Sequence, residues 1–366
     1  MRWPLLFMMI GSTALAPAQS RDPYVFVGTY TKGKSEGLYV FCMDSRTGAL
    51  SPVSVAKGIA NPSFVTVSPN GRFVYAVSEG HQGAVSAFRF DESTGTLALI
   101  NTQPSGGASP CHLAVDHAGR HLLVSNYRGG NFRSFPIRPD GSLGDPAQTI
   151  QHAGQGADPA RQEAPHVHSA NIASNNRDLF VCDLGTDKIM AYHLDEASGR
   201  ISEGRSAAIA VPPGSGPRHL AFHPNGRFAY VSQELNSTIT AFSAENGTLS
   251  ALQTVPALPP GFEGKNSCAD IHTSPDGKFL YASNRGHNSL AIFRIEDAGT
   301  LAPVGHVPVR GKTPRNFAID PSGKFLLVAN QDSDAIQVFR RDPETGWLAP
   351  AGQKAYVPMP VCIRFY

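Results

Sequence analysis

One short pattern recurs along this chain from about residue 24 to its end. Its centre is a turn of the Pro-Asn-Gly or Pro-Asp-Gly type between two apolar segments, as in Ser68-Pro69-Asn70-Gly71-Arg72-Phe73 and His223-Pro224-Asn225-Gly226-Arg227-Phe228. The pattern returns roughly every 50 residues, and a fixed period of that length is typical of repeat proteins. The repeat therefore predicts the fold, and residues that depart from it point to function.

Each unit of the repeat predicts four short antiparallel strands. In the unit that starts at Pro217, we expect them at about 218–223, 228–233, 238–243 and 249–255. Alternating apolar residues support this assignment, and a second glycine turn separates the third strand from the fourth. Four antiparallel strands at this period are typical of a propeller blade.

The two termini complete one blade between them. Six complete units occupy residues 62 to about 355, and residues 25–55 match the second, third and fourth strands of another unit. The missing first strand is Pro360-Val361-Cys362-Ile363-Arg364-Phe365, which matches Pro62-Ser63-Phe64-Val65-Thr66-Val67. Closing the ring in this way removes exposed sheet edges.

We therefore predict an all-β fold, a seven-bladed β-propeller of four-stranded antiparallel blades whose ring is closed by strands from both termini. It forms a single domain over residues 24–366 and is expected to be a monomer. A solenoid is the alternative, but it would not need its termini to complete each other.

The N-terminus has the features of a signal peptide. Arg2 precedes an apolar run from Trp3 to Ala14, and Ala16-Pro17-Ala18 is a small-x-small cleavage site. We expect residues 1–18 to be removed, so that the protein is periplasmic or secreted and has no membrane attachment after cleavage. It would be cytoplasmic if this segment is not cleaved. The apolar run is too short for a good membrane span.

Composition and motifs argue against several classes of protein. The formal net charge is +2 and no run of Lys or Arg exceeds two residues, so we expect no nucleic-acid partner. The five cysteines form no CxxC pair and lie in or beside predicted strands, which predicts small buried side chains. No phosphate-binding loop and no metal-ligand spacing is present, so we expect no cofactor and no metal.

Two columns of the repeat carry residue types that suit chemistry. The first column, one residue into each first strand, reads Ser63, Cys111, His168, Arg218, Ala269, Arg315 and Val361. The second column, at the end of each second strand, reads Tyr30, Glu79, Tyr127, Leu184, Glu234, Arg285 and Gln331. Because the two strands are antiparallel, we expect both columns to converge on one mouth of the central channel.

A purely structural column would repeat one residue type. The column before the second one does so, with Asn126, Asp183, Gln233, Asn284 and Asn330, and we assign it to structure. By contrast, His168, Arg218, Glu234 and Arg285 fall in three consecutive blades. A carboxylate between two guanidiniums stays ionised, a histidine can exchange protons, and arginines can bind an anion. The alternative is an ion-pair network that only closes the channel.

Other histidines fit ordinary positions of the repeat. His112, His219 and His223 recur within the strand pattern, where we expect packed or hydrogen-bonded side chains. His81, His152, His287 and His306 are predicted to lie in loops.

Several segments together resemble one known family. The most specific are Arg161-Gln162-Glu163-Ala164-Pro165-His166-Val167-His168-Ser169, Gly216-Pro217-Arg218-His219, Gln233-Glu234-Leu235 and Ser283-Asn284-Arg285-Gly286. With these segments the chain resembles the lactonase-type seven-bladed propellers, which include bacterial 6-phosphogluconolactonases and are similar to fungal carboxymuconate cyclases. In the cyclases, a His, an Arg, a Glu and a second Arg have been proposed as the active site. By motif they correspond to His168, Arg218, Glu234 and Arg285.

The resemblance implies metal-independent hydrolysis of a small anionic sugar lactone, family-typically 6-phospho-D-glucono-1,5-lactone to 6-phosphogluconate. An exported enzyme would rarely meet a phosphorylated sugar, so its lactone could be unphosphorylated. We expect Glu234 to act as general base and His168 as proton shuttle, or the reverse, with Arg218 and Arg285 binding the anion and the oxyanion. Further substrate contacts are expected from His166, Asp270, His272, Arg315, Gln331, Tyr30, Tyr127 and Glu79. The alternatives are a muconate-type lactonising cyclase or isomerase and a non-catalytic ligand-binding propeller.

Overall fold

The computed structural model describes residues 22–352 and 354–366. The predicted signal peptide, residues 1–18, lies outside the described residues. Among the residues that are described, no helix is both long enough and apolar enough to cross a bilayer.

The chain folds into short strands in the order that the repeat predicts. The first fifteen are β1 (Tyr24–Thr29), β2 (Gly37–Met43), β3 (Leu50–Lys57), β4 (Val65–Val67), β5 (Phe73–Ser78), β6 (Ala84–Asp91), β7 (Thr96–Pro104), β8 (Pro110–Val115), β9 (His121–Asn126), β10 (Asn131–Pro136), β11 (Gln148–Gln151), β12 (Val167–Ile172), β13 (Asp178–Asp183), β14 (Lys188–Leu194) and β15 (Ile201–Ala210). The others are β16 (Pro217–Phe222), β17 (Phe228–Gln233), β18 (Thr238–Glu245), β19 (Thr248–Pro256), β20 (Ser267–Thr273), β21 (Phe279–Arg285), β22 (Ser289–Ile295), β23 (Leu301–Pro308), β24 (Pro314–Ile319), β25 (Phe325–Asn330), β26 (Ala335–Arg341), β27 (Leu348–Pro350), β28 (Ala355–Tyr356) and β29 (Pro360–Phe365). A 3-10 turn, Gln331–Ser333, follows β25.

These strands form seven antiparallel sheets, and the prediction of a seven-bladed propeller is confirmed. Blade 1 has the strand order β29-β1-β2-β3, and blades 2 to 6 are formed in order by β4–β7, β8–β11, β12–β15, β16–β19 and β20–β23. Blade 7 contains β24–β27, and β28 also pairs with β26.

The ring closes through strands from both termini, as predicted. In blade 1, β29 pairs with β1, so that Val25 lies opposite Phe365 and Val27 opposite Ile363. The first strands of all seven blades contact one another in sequence, from β29 through β4, β8, β12, β16, β20 and β24 back to β29. The C-terminal strand is therefore the innermost strand of blade 1 and part of the channel wall.

The turns of the repeat have a local cause. Between β16 and β17, the amide of Gly226 donates to the carbonyl of His223, and Gly226 has a φ of +71°. Side chains other than glycine rarely adopt that backbone conformation, so the repeated glycine lets the chain reverse between inner and second strands.

Three of the five residues in the column assigned to structure make the same structural contact. The buried amides of Asn126, Asn284 and Asn330 donate to the carbonyls of Ser105, Ala257 and Val309, at distances of 3.1, 2.7 and 3.1 Å. Each bond ties the end of a second strand to the segment that precedes the blade.

Apolar side chains fill the space between blades. One core cluster joins Val25 and Val27 of blade 1 to Phe325 and Leu327 of blade 7. Four of the five cysteines are buried, and within the described residues all five are free thiols, which fits the predicted role as small packed side chains.

Candidate active site

A β-bulge near the start of the inner strand interrupts the regular pairing at several residues of the first column. In blade 4 the pairing register shifts between Val167 and Ser169, which leaves His168 without a partner across the strands. The same shift occurs around Arg218 in blade 5 and around Arg315 in blade 7. A bulge turns the side chain of the unpaired residue away from its regular direction. The sequence repeat does not reveal this bulge. The bulge explains why residues of the first column differ from those at regularly paired strand positions.

Glu234 is the centre of a buried ion-pair cluster. Its Oε1 accepts a hydrogen bond of 2.7 Å from Arg161 Nη2. Its Oε2 lies 2.9 Å from Arg218 Nε and 2.9 Å from Arg285 Nη2. The Glu234 and Arg218 side chains are 7% and 3% exposed, whereas Arg161 is 42% exposed. Three guanidiniums from different parts of the chain therefore meet at one carboxylate, and only one of them is open to solvent.

Arg161 was not identified as a site residue from the sequence. It lies in the long connection between β11 and β12, outside both columns of the repeat, where equivalent positions of other blades offer no comparison. The signal that could have found it is the Arg-Gln segment ahead of Pro165-His166-Val167-His168.

The arginines control the protonation of Glu234. Burial alone would raise the pKa of this carboxyl, but the charges of Arg285, Arg218 and Arg161 outweigh burial and hold the pKa well below its usual range. Burial, together with the charges of Arg285 and Arg315, lowers the pKa of Arg218 to about 10, so Arg218 is still protonated at neutral pH. A carboxylate with so little proton affinity is a poor general base. These contacts favour an anchoring role for Glu234 over the general-base role expected from sequence.

His168 is buried next to the same cluster. Its ring centre lies 5.1 Å from that of His219 and 5.6 Å from that of Tyr127. Burial and the charge of Arg218 lower the pKa of His168 well below its usual value, so the imidazole is neutral at neutral pH. It can hydrogen-bond to a ligand, but it carries no ready proton for the shuttle role expected from sequence.

Asp270 connects two histidines to the arginine cluster. Its Oδ1 lies 2.7 Å from His219 Nδ1 and its Oδ2 lies 2.9 Å from His272 Nε2. Nε2 of His219 lies 3.2 Å from Arg218 Nη1. If Nδ1 of His219 donates to Asp270, its Nε2 lone pair is left to accept from Arg218. His219 is hydrogen-bonded, as the strand pattern predicted, and it also supports a site arginine.

Glu79 belongs to a second cluster at the channel. Its Oε2 accepts hydrogen bonds of 2.5 Å from the Ser63 hydroxyl and 3.0 Å from the Tyr30 hydroxyl. The guanidinium carbon of Arg315 lies 5.5 Å from the centre of the Tyr30 ring, within the range of a cation–π contact. This cluster and the Glu234 cluster draw on the same two columns of the repeat.

The remaining predicted contact residues have different surroundings. The His166 ring stacks on Tyr127 with ring centres 4.4 Å apart, and its Nε2 lies 3.2 Å from Glu163 Oε1. The Gln331 amide donates to Asp332, and within the described residues no hydrogen bond or ion pair links it to another predicted site residue. Across the described part of the chain, no group of three or more His, Cys, Asp or Glu side chains is placed to hold a metal ion.

Two of the predicted loop histidines have other roles. His306 lies on β23, not in a loop, and its Nε2 is 2.9 Å from the Ala257 carbonyl. His152 does follow β11, but it is buried between Asp183 and Tyr192, with contacts of 2.8 and 3.1 Å. Both rings have polar partners, and these allow the His152 ring to be buried.

The seven-bladed fold agrees with what comparison with known proteins shows. Residues 24–365 match the family described as "Lactonase, 7-bladed beta-propeller", and the chain belongs to this family.

Individual relatives are similar to this chain over nearly their full length. The chain is 38% identical to the 6-phosphogluconolactonase of Bacillus subtilis (strain 168) over 93% of this chain and 97% of that protein. It is 42% identical to the 6-phosphogluconolactonase of Formosa agariphila over 91% of this chain and 96% of that protein. The structure of a periplasmic gluconolactonase from Pseudomonas aeruginosa is similar, with a TM-score of 0.88 and 38% identity over 94% of this chain and 98% of that one.

Proposed function

We propose that this chain hydrolyses the lactone of a sugar acid to the open-chain acid. The observation that carries the proposal is the set of three arginines held around Glu234 at the channel, in a chain that is similar over nearly its full length to 6-phosphogluconolactonases. Metal-independent ester hydrolysis needs stabilisation of negative charge on the former carbonyl oxygen, and fixed guanidiniums supply it.

Glu234 serves this chemistry by fixing the arginines. Free arginine side chains have many rotamers, and orienting them in advance lowers the cost of meeting a developing charge. Glu234 holds Arg218 Nε and Arg285 Nη2, and His219 lies against Arg218 Nη1. Arg218 Nη2 and Arg285 Nη1 can then donate to an anionic substrate. His168 contributes a neutral imidazole that can hydrogen-bond to a substrate hydroxyl.

A direct assay tests the proposed function. Purified protein lacking residues 1–18 is incubated with glucono-1,5-lactone, its 6-phosphate and other sugar lactones, and acid release is measured against spontaneous hydrolysis. Cis,cis-muconate and related diacids test the cyclase alternative in the same buffer. We expect hydrolysis of a sugar lactone well above background. Ligand binding without turnover would favour the binding propeller, and lactone formation from a diacid would favour the cyclase.

The location of the protein decides which lactone it meets. The signal-peptide features of residues 1–18 and the likeness to a periplasmic gluconolactonase support export. Sugar phosphates are cytosolic metabolites, so an exported enzyme acts on an unphosphorylated lactone. Mass spectrometry of the protein from its native host should then find a chain that begins at Gln19. Intact Met1 in the cytosolic fraction would contradict export and favour the phosphorylated substrate.

Arg161 is expected to contribute to substrate binding with little effect on folding. Its half-exposed ion pair with Glu234 contributes at most about 1 kcal/mol to stability, because exposed pairs are screened by water. Arg161→Ala should therefore leave the melting temperature nearly unchanged and raise KM for an anionic lactone roughly tenfold, the effect of losing about 1.4 kcal/mol of binding. Arg46→Ala is the matched control, since Arg46 is 84% exposed and forms its ion pair with Asp44 in an outer turn. An unchanged KM in Arg161→Ala would remove this residue from the site.

A further inference from the structure

The second carboxylate at the channel differs from Glu234 in one decisive respect. Glu234 has guanidinium nitrogens within 2.9 Å of both oxygens. Glu79 accepts two neutral hydroxyl donors on Oε2, and in the described part of the chain no Lys, Arg or His nitrogen lies within 4.0 Å of its carboxylate. A general base needs a carboxylate oxygen that is not held in a direct ion pair, so that this oxygen can face the water it acts on.

A small cavity lies against this carboxylate. It has a volume of about 10 Å³, and its walls include Ser63, Glu79, Cys111, Arg218 and Arg315. A space of that size is suited to about one water molecule, and such a water needs two to four polar partners. The Glu79 carboxylate, the Ser63 hydroxyl and the two guanidiniums are candidates for those partners. The cavity therefore brings a proton acceptor and an oxyanion donor to the same small volume.

We propose that Glu79 is the general base of the lactonase reaction and acts on a water molecule held in this cavity. The proposal rests on the proposed lactonase function. Glu79 accepts a proton from the water as the water oxygen forms a bond to the lactone carbonyl carbon. The carbonyl electron pair moves onto its oxygen, where the arginines stabilise it. When this intermediate collapses, the ring C–O bond breaks and the ring oxygen takes the proton back from Glu79. One water is consumed, one hydroxy acid forms, and no other reactant is needed.

The neighbours of Glu79 fit this role. The Ser63 and Tyr30 hydroxyls both donate to Oε2, so they hold the carboxylate in place while Oε1 remains for water. Burial raises the pKa of Tyr30 to about 12, and the charge of Arg315 opposes this rise while the charge of Glu79 adds to it. The Tyr30 hydroxyl therefore keeps its proton at neutral pH. Ser63 and Tyr30 are positioning residues, and we assign proton transfer to Glu79 alone.

Kinetics of Glu79 variants on the best sugar lactone test the proposal. Glu79→Gln keeps the shape but cannot take a proton, so kcat should fall by at least about 100-fold, the usual contribution of a general base, while KM stays within about threefold. In Glu79→Ala, added formate should restore part of the lost kcat, because a free carboxylate can occupy the emptied space. Rates without enzyme are subtracted at each formate concentration. Glu36→Gln, a surface change at a side chain that is 54% exposed, is the matched control and should behave as wild type.

The outcomes separate this proposal from the proposed function. A Glu79→Gln variant that keeps kcat within threefold of an active wild type would overturn the role of Glu79 and leave the lactonase function intact. A low kcat in Glu79→Ala that formate does not raise would also overturn it, since the loss would then be structural. If the wild type turns over no lactone at all, both the function and the role of Glu79 fall. A large kcat defect at constant KM, together with formate rescue, supports the base.

Discussion

Deletion of residues 360–366 should abolish cooperative folding. These residues form β29, the innermost strand of blade 1, and Val361, Cys362 and Ile363 are almost completely buried. Burial of one large aliphatic side chain contributes about 1.5–3 kcal/mol, and the deletion also removes the backbone pairing with β1 and opens the ring. The whole fold is expected to be stable by only about 5–15 kcal/mol, so the loss is comparable to the total.

Thermal unfolding followed by circular dichroism, together with size-exclusion chromatography, measures this effect. Ile363→Ala is a milder variant in the same strand and should cost about 2–5 kcal/mol, as truncations of buried isoleucine do. Tyr356→Ala is the control, because that side chain lies on a short strand of blade 7 and is 61% exposed. A truncated protein that melts like the full chain would show that β29 does not close the ring.

Sequence reasoning reached the closing strand because the repeat supplied the template. The segment that begins at Pro62 matches Pro360-Val361-Cys362-Ile363-Arg364-Phe365. This match predicted the position of β29, although its pairing partner β1 lies at the other end of the chain. In a repeat protein, equivalent residues face equivalent neighbours, so one alignment predicts many contacts at once. The strand boundaries of blade 5 agree with the prediction within about two residues for the same reason.

Alignment of the repeats could not predict other features of the site. The register shift that leaves His168, Arg218 and Arg315 unpaired across the strands is a property of backbone pairing, and no residue type marks it. Arg161 sits on an insertion between blades 3 and 4, which the repeat does not describe. Glu234 therefore stays a predicted site residue, and the third guanidinium found on its second oxygen is the observation behind the anchoring role proposed for it.

The buried ion pairs also predict how the protein responds to acid. The pKa of Glu234 is held well below its usual range in the fold, so its contribution to stability is complete above the ordinary value of about 4.3 for an unfolded chain. That contribution is lost progressively as the pH falls below this value. Asp270, whose pKa also lies well below its usual value because His272 and His219 outweigh the effect of burial, acts in the same direction.

Substitution of Glu234 by Gln should damage both activity and stability. Without the carboxylate, Arg218 and Arg285 lose the group that orients them, and losing a fixed oxyanion donor typically lowers kcat about 100- to 1000-fold. From the sequence alone we would expect such a variant to fold normally. The structure changes that expectation, because Arg218 would remain buried with its charge uncompensated, and breaking a buried pair in this way costs about 3–5 kcal/mol.

A second substitution separates these two effects. In the double variant Glu234→Gln/Arg218→Gln the uncompensated charge is gone, so most of the lost stability should return, while the activity should stay low because an oxyanion donor is missing. Melting temperature and kcat are measured for the wild type, for Glu234→Gln, for Arg218→Gln and for the double variant. If Glu234→Gln melted like the wild type and kept its kcat, Glu234 would be neither the anchor of the arginines nor part of the active site. If the double variant were the least stable of the four, the buried charge would not be the cause of the instability.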